Sequence, residues 1–458
     1  MFLTRVLALD VGTSSVRARV YDERAEALRG VEVQTRYELT DGHEGQAEFD
    51  ADQLVAATRA AYEEALREAG GEVDAVATSC FWHSLVPVDG RGRAIGPLLT
   101  WRDLRAADAA RRLGGLVERD DVHARTGCVL HPSYWPAKLV WLREAEPELF
   151  RSAARFLSFA DYLQLQLTGD ARTSLSMASG TGLLALADGT WDTQLLDAVG
   201  LDHAHLPLLS DEPVDAGTPW FPALGDGACS NVGAGCMTPD RAALMIGTSG
   251  AYRVVRAADR LEPRPGLFLY RLDRARLVEG GALSDGGNLY AWLEETLRLP
   301  EAQVVADAEP DAHGLTFLTL LGGERSPHWN AQARGALTGL AFDTTPADIL
   351  QAALEGVAFR FAEVADLLPE VREVVATGHA LVANPRWAQL LADVLERPLV
   401  ASGVDEASAR GVAVVTFERL GCATEPAPLG RLYEPRPERR DAYRSARERQ
   451  RELYRGVT

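Results

Sequence analysis

Two short strings in the chain could cradle an anionic ligand. Asp10-Val11-Gly12-Thr13-Ser14-Ser15 follows an apolar run at 6–9, and Gly247-Thr248-Ser249-Gly250 follows another at 243–246. A Gly-Thr-Ser reversal lets backbone N–H groups and hydroxyls converge with no side chain in the way, and such a donor-rich concavity suits phosphate oxygens. Asp10 sets a carboxylate where a metal ion bound to polyphosphate would sit. Gly225-Asp226-Gly227 supplies another, between two glycines that would leave room for a substrate. His83 and the cluster Trp101-Arg102-Asp103-Leu104-Arg105 offer an aromatic wall, hydrogen-bond donors and a third carboxylate, which suit a polyhydroxylated ligand. Taken singly, each string also fits something ordinary: a hairpin turn, an Asx turn at Asp226, a satisfied histidine, a capping Asp-Arg pair.

The repetition favours a common purpose. Strand-turn-strand units half a chain apart point to two related domains facing each other across a cleft, a common place for a ligand. Turn signals and alternation predict an antiparallel meander of strands at 5–11, 16–22 and 27–36. Leu54, Val55, Ala57, Ala61, Ala65 and Leu66 recur with helical period over 50–70, with Asp50 as cap, and a strand follows at 73–79. A mostly helical stretch over 110–200 reads as a lobe inserted in an α/β domain. The second half repeats the order, with strands at 242–246, 252–256, 266–270, 276–279 and 373–377 and helices at 288–298, 346–367 and 385–396. The proline-rich 204–226 reads as the connection between halves, and the charged tail from Glu438 as a solvated helix.

Composition excludes several functions. The 458 residues, 47% hydrophobic and 25% charged, suit two or three soluble domains. No run of eighteen apolar residues occurs, and Met1 leads almost directly into the first strand with neither a charged n-region nor a cleavage site, so a cytoplasmic, unprocessed protein away from membranes is expected. Cys80, Cys128, Cys229, Cys236 and Cys422 form no C-x-x-C pair and are expected to be reduced thiols. A net charge of −19 argues against a nucleic-acid partner. Lys138 is the one lysine of the chain and lies in no G-x-x-x-x-G-K-[ST] string, which excludes a P-loop.

In this order the strings resemble the FGGY family of carbohydrate kinases, from about residue 5 to about residue 425. The motifs are D-x-G-T-S-S at 10–15 with Arg17, W-x-D-x-R at 101–105, G-T-S-G at 247–250, G-E-R-S-P-x-W at 323–329, and Trp387-Ala388-Gln389-Leu390-Leu391-Ala392-Asp393. Within the family the look is closest to gluconate kinases, through His83-Ser84-Leu85, His131-Pro132 with Lys138 and Trp141, Asp226-Gly227 followed by Asn231, and Gly281 with Gly286-Gly287. Xylulose and glycerol kinases resemble the chain less, since they typically place Asn or Gln straight after the catalytic aspartate.

The resemblance implies an α/β fold of two ribonuclease-H-like domains, of the actin and hexokinase type, facing across a catalytic cleft. Residues 1–238 would carry the sugar site, the first phosphate turn and the catalytic aspartate, and 239–458 the second phosphate turn and the adenosine site. The implied reaction is ATP- and Mg²⁺-dependent phosphorylation of a sugar or sugar acid, most closely D-gluconate to 6-phospho-D-gluconate. Asp226 would be the general base, with Gly227 admitting the sugar. Gly12, Thr13, Ser14, Arg17, Gly247 and Thr248 would hold the polyphosphate, and Asp10 would position Mg²⁺ through water. Gly378, Ala380 and Asn384 would surround adenine and ribose, and His83, Trp101, Asp103 and Arg105 the sugar, with Arg105 on a carboxylate. The chain departs from the family pattern where His379 and Ala380 follow Gly378 in place of further glycines, and in a short 206–226 connection. The implied partners are a small sugar or sugar acid and ATP, and a homodimer is compatible with the chain. Two alternatives remain at this point: a ketose or polyol kinase such as one for xylulose, and a nucleotide-gated protein without catalysis, as a sugar sensor or in the manner of filament and chaperone ATPases.

Overall fold

In the computed structural model of the chain, residues 4–42, 45–299, 309–378, 381 and 384–458 are described. Apolar alternation at the N-terminus builds the first sheet. Val6, Leu7, Ala8 and Leu9 are buried on both faces of the strand Arg5–Val11, as a central strand requires. That strand pairs antiparallel with Ser15–Asp22 and parallel with Ala75–Cys80, and Ala27–Arg36 closes the edge. The expected helix runs Ala51–Glu68, and the Asp50 carboxylate accepts from the N–H groups of Asp52 and Gln53 at 2.9 and 3.0 Å.

The second half repeats this plan. Arg241–Ile246 pairs antiparallel with Gly250–Ala257 and parallel with Glu373–Thr377. Phe268–Arg271, Arg276–Leu283, Leu399–Ser402 and Leu429–Tyr433 complete a seven-stranded sheet. Helices Gly287–Thr296, Pro346–Asp366 and Pro385–Leu395 lie close to their expected places. Among the described residues, no helix is long and apolar enough to cross a membrane. All five thiols are free, four of them buried.

Two expectations need correction, and one element was not foreseen. The 204–226 stretch is more than a connection, because Pro219–Trp220 and Leu224–Gly225 pair parallel with Ala75–Cys80 and so extend the first sheet. The tail helix Arg440–Val457 is not solvated all round: Tyr443, Ala446 and Gln450 are buried, and the Gln450 amide donates to Phe317 O at 2.7 Å. Helix Ala407–Arg419, late in the chain, packs into the core of the first sheet through Val412, Val415 and Phe417. There it crosses helix Asp226–Gly233 so closely that a Cβ on Gly411 would lie 1.8 Å from Cys229 O, and one on Gly233 1.7 Å from Ala407 O. Glycine at the crossing is therefore a steric requirement.

Candidate functional site

Strand register gathers the carboxylates. Asp10 stands opposite Ser79 at the end of the parallel pair, and Leu224–Gly225 continues that edge opposite Ser79 and Cys80, so that Asp226 opens its helix beside them. Asp10 and Asp226 thus sit at the carboxyl ends of two parallel strands on either side of Ala75–Cys80, the usual place for a ligand in such sheets. Ser79 Oγ donates to Asp10 Oδ1 at 2.9 Å, and the Gly227 N–H donates to Asp226 Oδ1 at 2.7 Å. Burial pushes the Asp10 carboxyl up to about 6, with the Asp226 charge adding to the rise and Ser79 and Arg17 opposing it. Burial likewise raises Asp226, against the guanidinium charges of Arg253 and Arg325 and the Gly227 N–H.

Both Gly-Thr-Ser turns close through the glycine N–H, the first over one residue more than the second. Gly12 N–H donates to Ser15 O at 3.0 Å in the first, and Gly247 N–H donates to Ser249 O at 3.0 Å in the second. Tyr37 braces the first turn, its hydroxyl donating to Gly12 O at 2.6 Å and its N–H to Ser14 O at 3.1 Å. The second is held by Gly287 N–H on Gly247 O and Asn288 N–H on Thr248 O, at 2.8 and 3.0 Å. Thr13 and Ser14 remain accessible to solvent. Arg17 pairs with Glu406 at 3.1 Å, at the start of the crossing helix.

A cavity of about 320 Å³ opens between the halves, lined by Trp101, His131 and Ser133 from the first and Thr248, Glu324 and Arg325 from the second. His83 and Asp226 do not line it, although both feel the Arg325 charge. His83 has φ +67° and is buried, and its Nδ1 bonds the Gly180 carbonyl. A carbonyl can only accept, so Nδ1 carries the proton and Nε2 is left as an acceptor. Burial drives the His83 pKa well down and that of His131 to about 3, with Arg325 adding to both, so both rings are neutral. Lys138 donates to His83 O at 2.6 Å beneath this wall, and burial lowers it to about 7.

Other expected residues have different duties. Arg105 does not line the cavity: it donates to Asp103 and Glu48, each at 2.6 Å, and its guanidinium stacks 4.6 Å from the Trp141 ring. Asp103, buried, also accepts from Ala47 N–H at 3.1 Å. These two residues therefore brace a loop beside the cavity rather than standing free in its wall. Arg105→Ala should lower stability by about 1–3 kcal/mol, through the buried carboxylate it leaves behind, while the acceptor KM stays near that of wild type. Thermal unfolding and steady-state kinetics on the same preparation check this.

The glycines beside Asp226 admit neighbouring side chains. A Cβ on Gly225 would lie 1.8 Å from Trp82 Cε2, and one on Gly227 2.6 Å from Trp82 Cζ3 and 2.8 Å from Arg253 Nη1. Trp82 and Arg253 were not apparent from the sequence, although a charged residue inside an apolar strand is a signal. Arg253 Nε donates to Asn231 Oδ1 at 3.1 Å and Asn231 Nδ2 donates to Arg253 O at 3.0 Å, a reciprocal clamp between the Asp226 helix and the second sheet. Gly378 ends its strand at φ +90°. Asn384 caps helix Pro385–Leu395, accepting from Trp387 N–H at 3.1 Å. Ala380 and His379 lie outside the described residues.

Asp311, His313 and Glu355 form another cluster with metal-ligand chemistry. The Leu315 N–H donates to His313 Nδ1 at 3.0 Å, so Nε2 carries the proton and donates it to Glu355 at 3.2 Å. That tautomer leaves no ring lone pair for an ion.

Comparison with known proteins agrees with this geometry. Residues 5–217 match the N-terminal domain, and 242–418 the C-terminal domain, of the FGGY family of carbohydrate kinases. A gluconokinase of Bacillus subtilis (strain 168) is 25% identical over 452 residues, 91% of this chain and 88% of its own. A xylulose kinase of Escherichia coli (strain K12) is 28% identical over 488 residues, 98% of each chain. The crystal structure of a gluconate kinase from Lactobacillus acidophilus superposes with a TM-score of 0.90 at 26% identity, over 100% of this chain and 98% of the other.

Proposed function

The chain belongs to the FGGY family of carbohydrate kinases and is an ATP-dependent sugar kinase; on that footing we propose that it phosphorylates D-gluconate on its terminal hydroxyl, giving 6-phospho-D-gluconate. The observation that carries the chemistry is the placing of Asp10 and Asp226 at the ends of the two strands that flank Ala75–Cys80. Asp226 takes the proton of the substrate hydroxyl as its oxygen bonds to the γ-phosphorus. The bond from that phosphorus to the β–γ bridging oxygen breaks, and ADP leaves with the electron pair. Backbone N–H groups and hydroxyls of Thr13, Ser14 and Thr248, in the turns that the Gly12 and Gly247 N–H groups close, hold the polyphosphate, and its oxygens compete with Glu406 for Arg17. His83 Nε2 accepts from a sugar hydroxyl and Trp101 walls the ring-free chain. Gly378 and Asn384 stand on the adenosine side. The oxygen donors around Asp10, with a carboxyl that burial makes costly to ionise alone, suit Mg²⁺, which when bound neutralises polyphosphate charge.

The likeness to gluconokinases in sequence and in structure supports gluconate. The xylulose kinase likeness supports a ketose as the second reading. ADP release from ATP, measured with gluconate, other aldonates, xylulose, ribulose, glycerol and erythritol, separates them. The proposal expects the highest kcat/KM with gluconate; equal turnover of xylulose and gluconate would sink it.

A further inference from the structure

Arg325 is fixed at its backbone and unsatisfied at its charge. Glu324 beside it accepts the Tyr454 hydroxyl at 2.6 Å and the Arg360 guanidinium. Ser326 N–H donates to Ala282 O at 3.0 Å, and Ala282 N–H donates back to Ser326 Oγ at 3.1 Å. The Trp329 N–H closes the loop on Arg325 O at 2.6 Å. From this anchorage in the second half the Arg325 side chain reaches across the cavity to Trp101 of the first, its Cζ 5.2 Å from the ring centroid.

Of the other arginines near the cleft, Arg105 is held by Asp103 and Glu48, Arg17 by Glu406, and Arg253 at its Nε by Asn231 with its Nη2 buried and unpartnered, while Arg102 shares the cavity lining and is itself engaged. Arg325 has no carboxylate within ion-pair distance among the described residues, and its Nε is buried with no partner. In the neighbouring wall His83 and His131 are neutral, and the Lys138 side chain is turned onto the His83 carbonyl. A guanidinium stacked on an aromatic ring keeps its edge free for a planar anion, and a carboxylate fits that edge with two parallel hydrogen bonds.

We propose that Arg325 binds the carboxylate of a sugar-acid substrate and so sets the preference for aldonates over neutral polyols. This rests on the reading of the acceptor as a sugar acid. Arg325 then does what the sequence motif W-x-D-x-R suggested for Arg105. The substrate carboxylate also links the halves, because the loop that holds it belongs to the second and the Trp101 wall to the first.

The test compares D-gluconate with D-glucitol, which has CH₂OH in place of the carboxylate and the same terminal hydroxyl. Arg325→Leu should lower the ratio of kcat/KM for gluconate to that for glucitol by roughly 10- to 150-fold, as expected when a charge-assisted bond to a carboxylate is lost. Arg325→Lys, which keeps the charge without the fork, should fall between this variant and wild type. It carries the test alone if Arg325→Leu does not fold. A ratio within about twofold of wild type in folded protein, or a parallel fall for both acceptors, overturns the proposal. The unmodified enzyme tests the underlying reading separately: turnover of xylulose with no aldonate accepted removes the sugar-acid reading, and the proposal with it.

Discussion

Asp226→Asn lowers kcat by about 10²- to 10⁴-fold and leaves MgATP binding close to wild type. Phosphoryl transfer passes through a loose transition state, so positioning and charge supply most of the rate and the base a bounded share. The substitution isolates that share. The Asn oxygen can keep the bond from the Gly227 N–H that Asp226 Oδ1 accepts at 2.7 Å, so the start of the helix is preserved while the proton acceptor is lost. Asp10→Asn should differ, with a raised Mg²⁺ requirement and weaker MgATP binding. Titrations of nucleotide and Mg²⁺ against single-turnover rates separate the two. Near-normal kcat in folded Asp226→Asn would contradict the assignment and reopen the choice among Asp103, Asp285 and Glu324. Of these, Asp103 is held by Arg105 and Glu324 by Arg360 and Tyr454. Asp285, which burial pushes up to about 7 against backbone N–H bonds from Gly322, at 3.3 Å, and Leu321, would be the next base to test.

Gly411→Ala should cost about 3 kcal/mol or more of stability and lower kcat as well, although residue 411 is placed in no ligand site. The added Cβ would stand 1.8 Å from Cys229 O, a backbone atom that cannot turn aside. Either crossing helix must therefore shift, and one of them begins with Asp226. Gly456→Ala is the control. Nothing lies within 4 Å of a Cβ there, and the position is helical, so stability should hold or rise by up to about 1 kcal/mol with unchanged kinetics. Thermal unfolding and kinetics of both variants check the pair; equal stability of the two would show that the crossing can relax.

Much of this was legible in the sequence because it is local. A strand, a Gly-Thr-Ser reversal and a second strand are decided within about fifteen residues, and their recurrence announced two matching halves before any contact was known. Asp10 stood out after an apolar strand, and Asp226 between its two glycines. What escaped depends on distant partners. Asp103 and Arg105 are two residues apart and look available, but Glu48, 57 residues earlier, completes their pairing and takes Arg105 out of the cleft. Arg325 was visible inside its motif, and only the folded chain shows that it lacks a carboxylate and faces Trp101. Small residues at 225 and 227 signalled a close approach without saying by what, and Trp82 and Arg253 supply the answer. Helix Ala407–Arg419 has apolar residues on several sides, so its period does not tell which sheet it serves.

The most direct test of the whole account is the product formed from D-gluconate and ATP. Incubation with excess ATP and Mg²⁺, followed by ³¹P and ¹³C nuclear magnetic resonance of the acceptor, should show one new phosphate ester, coupled to C6, appearing in step with ADP. ADP formation that does not depend on gluconate, or a phosphate on any other carbon, would contradict it.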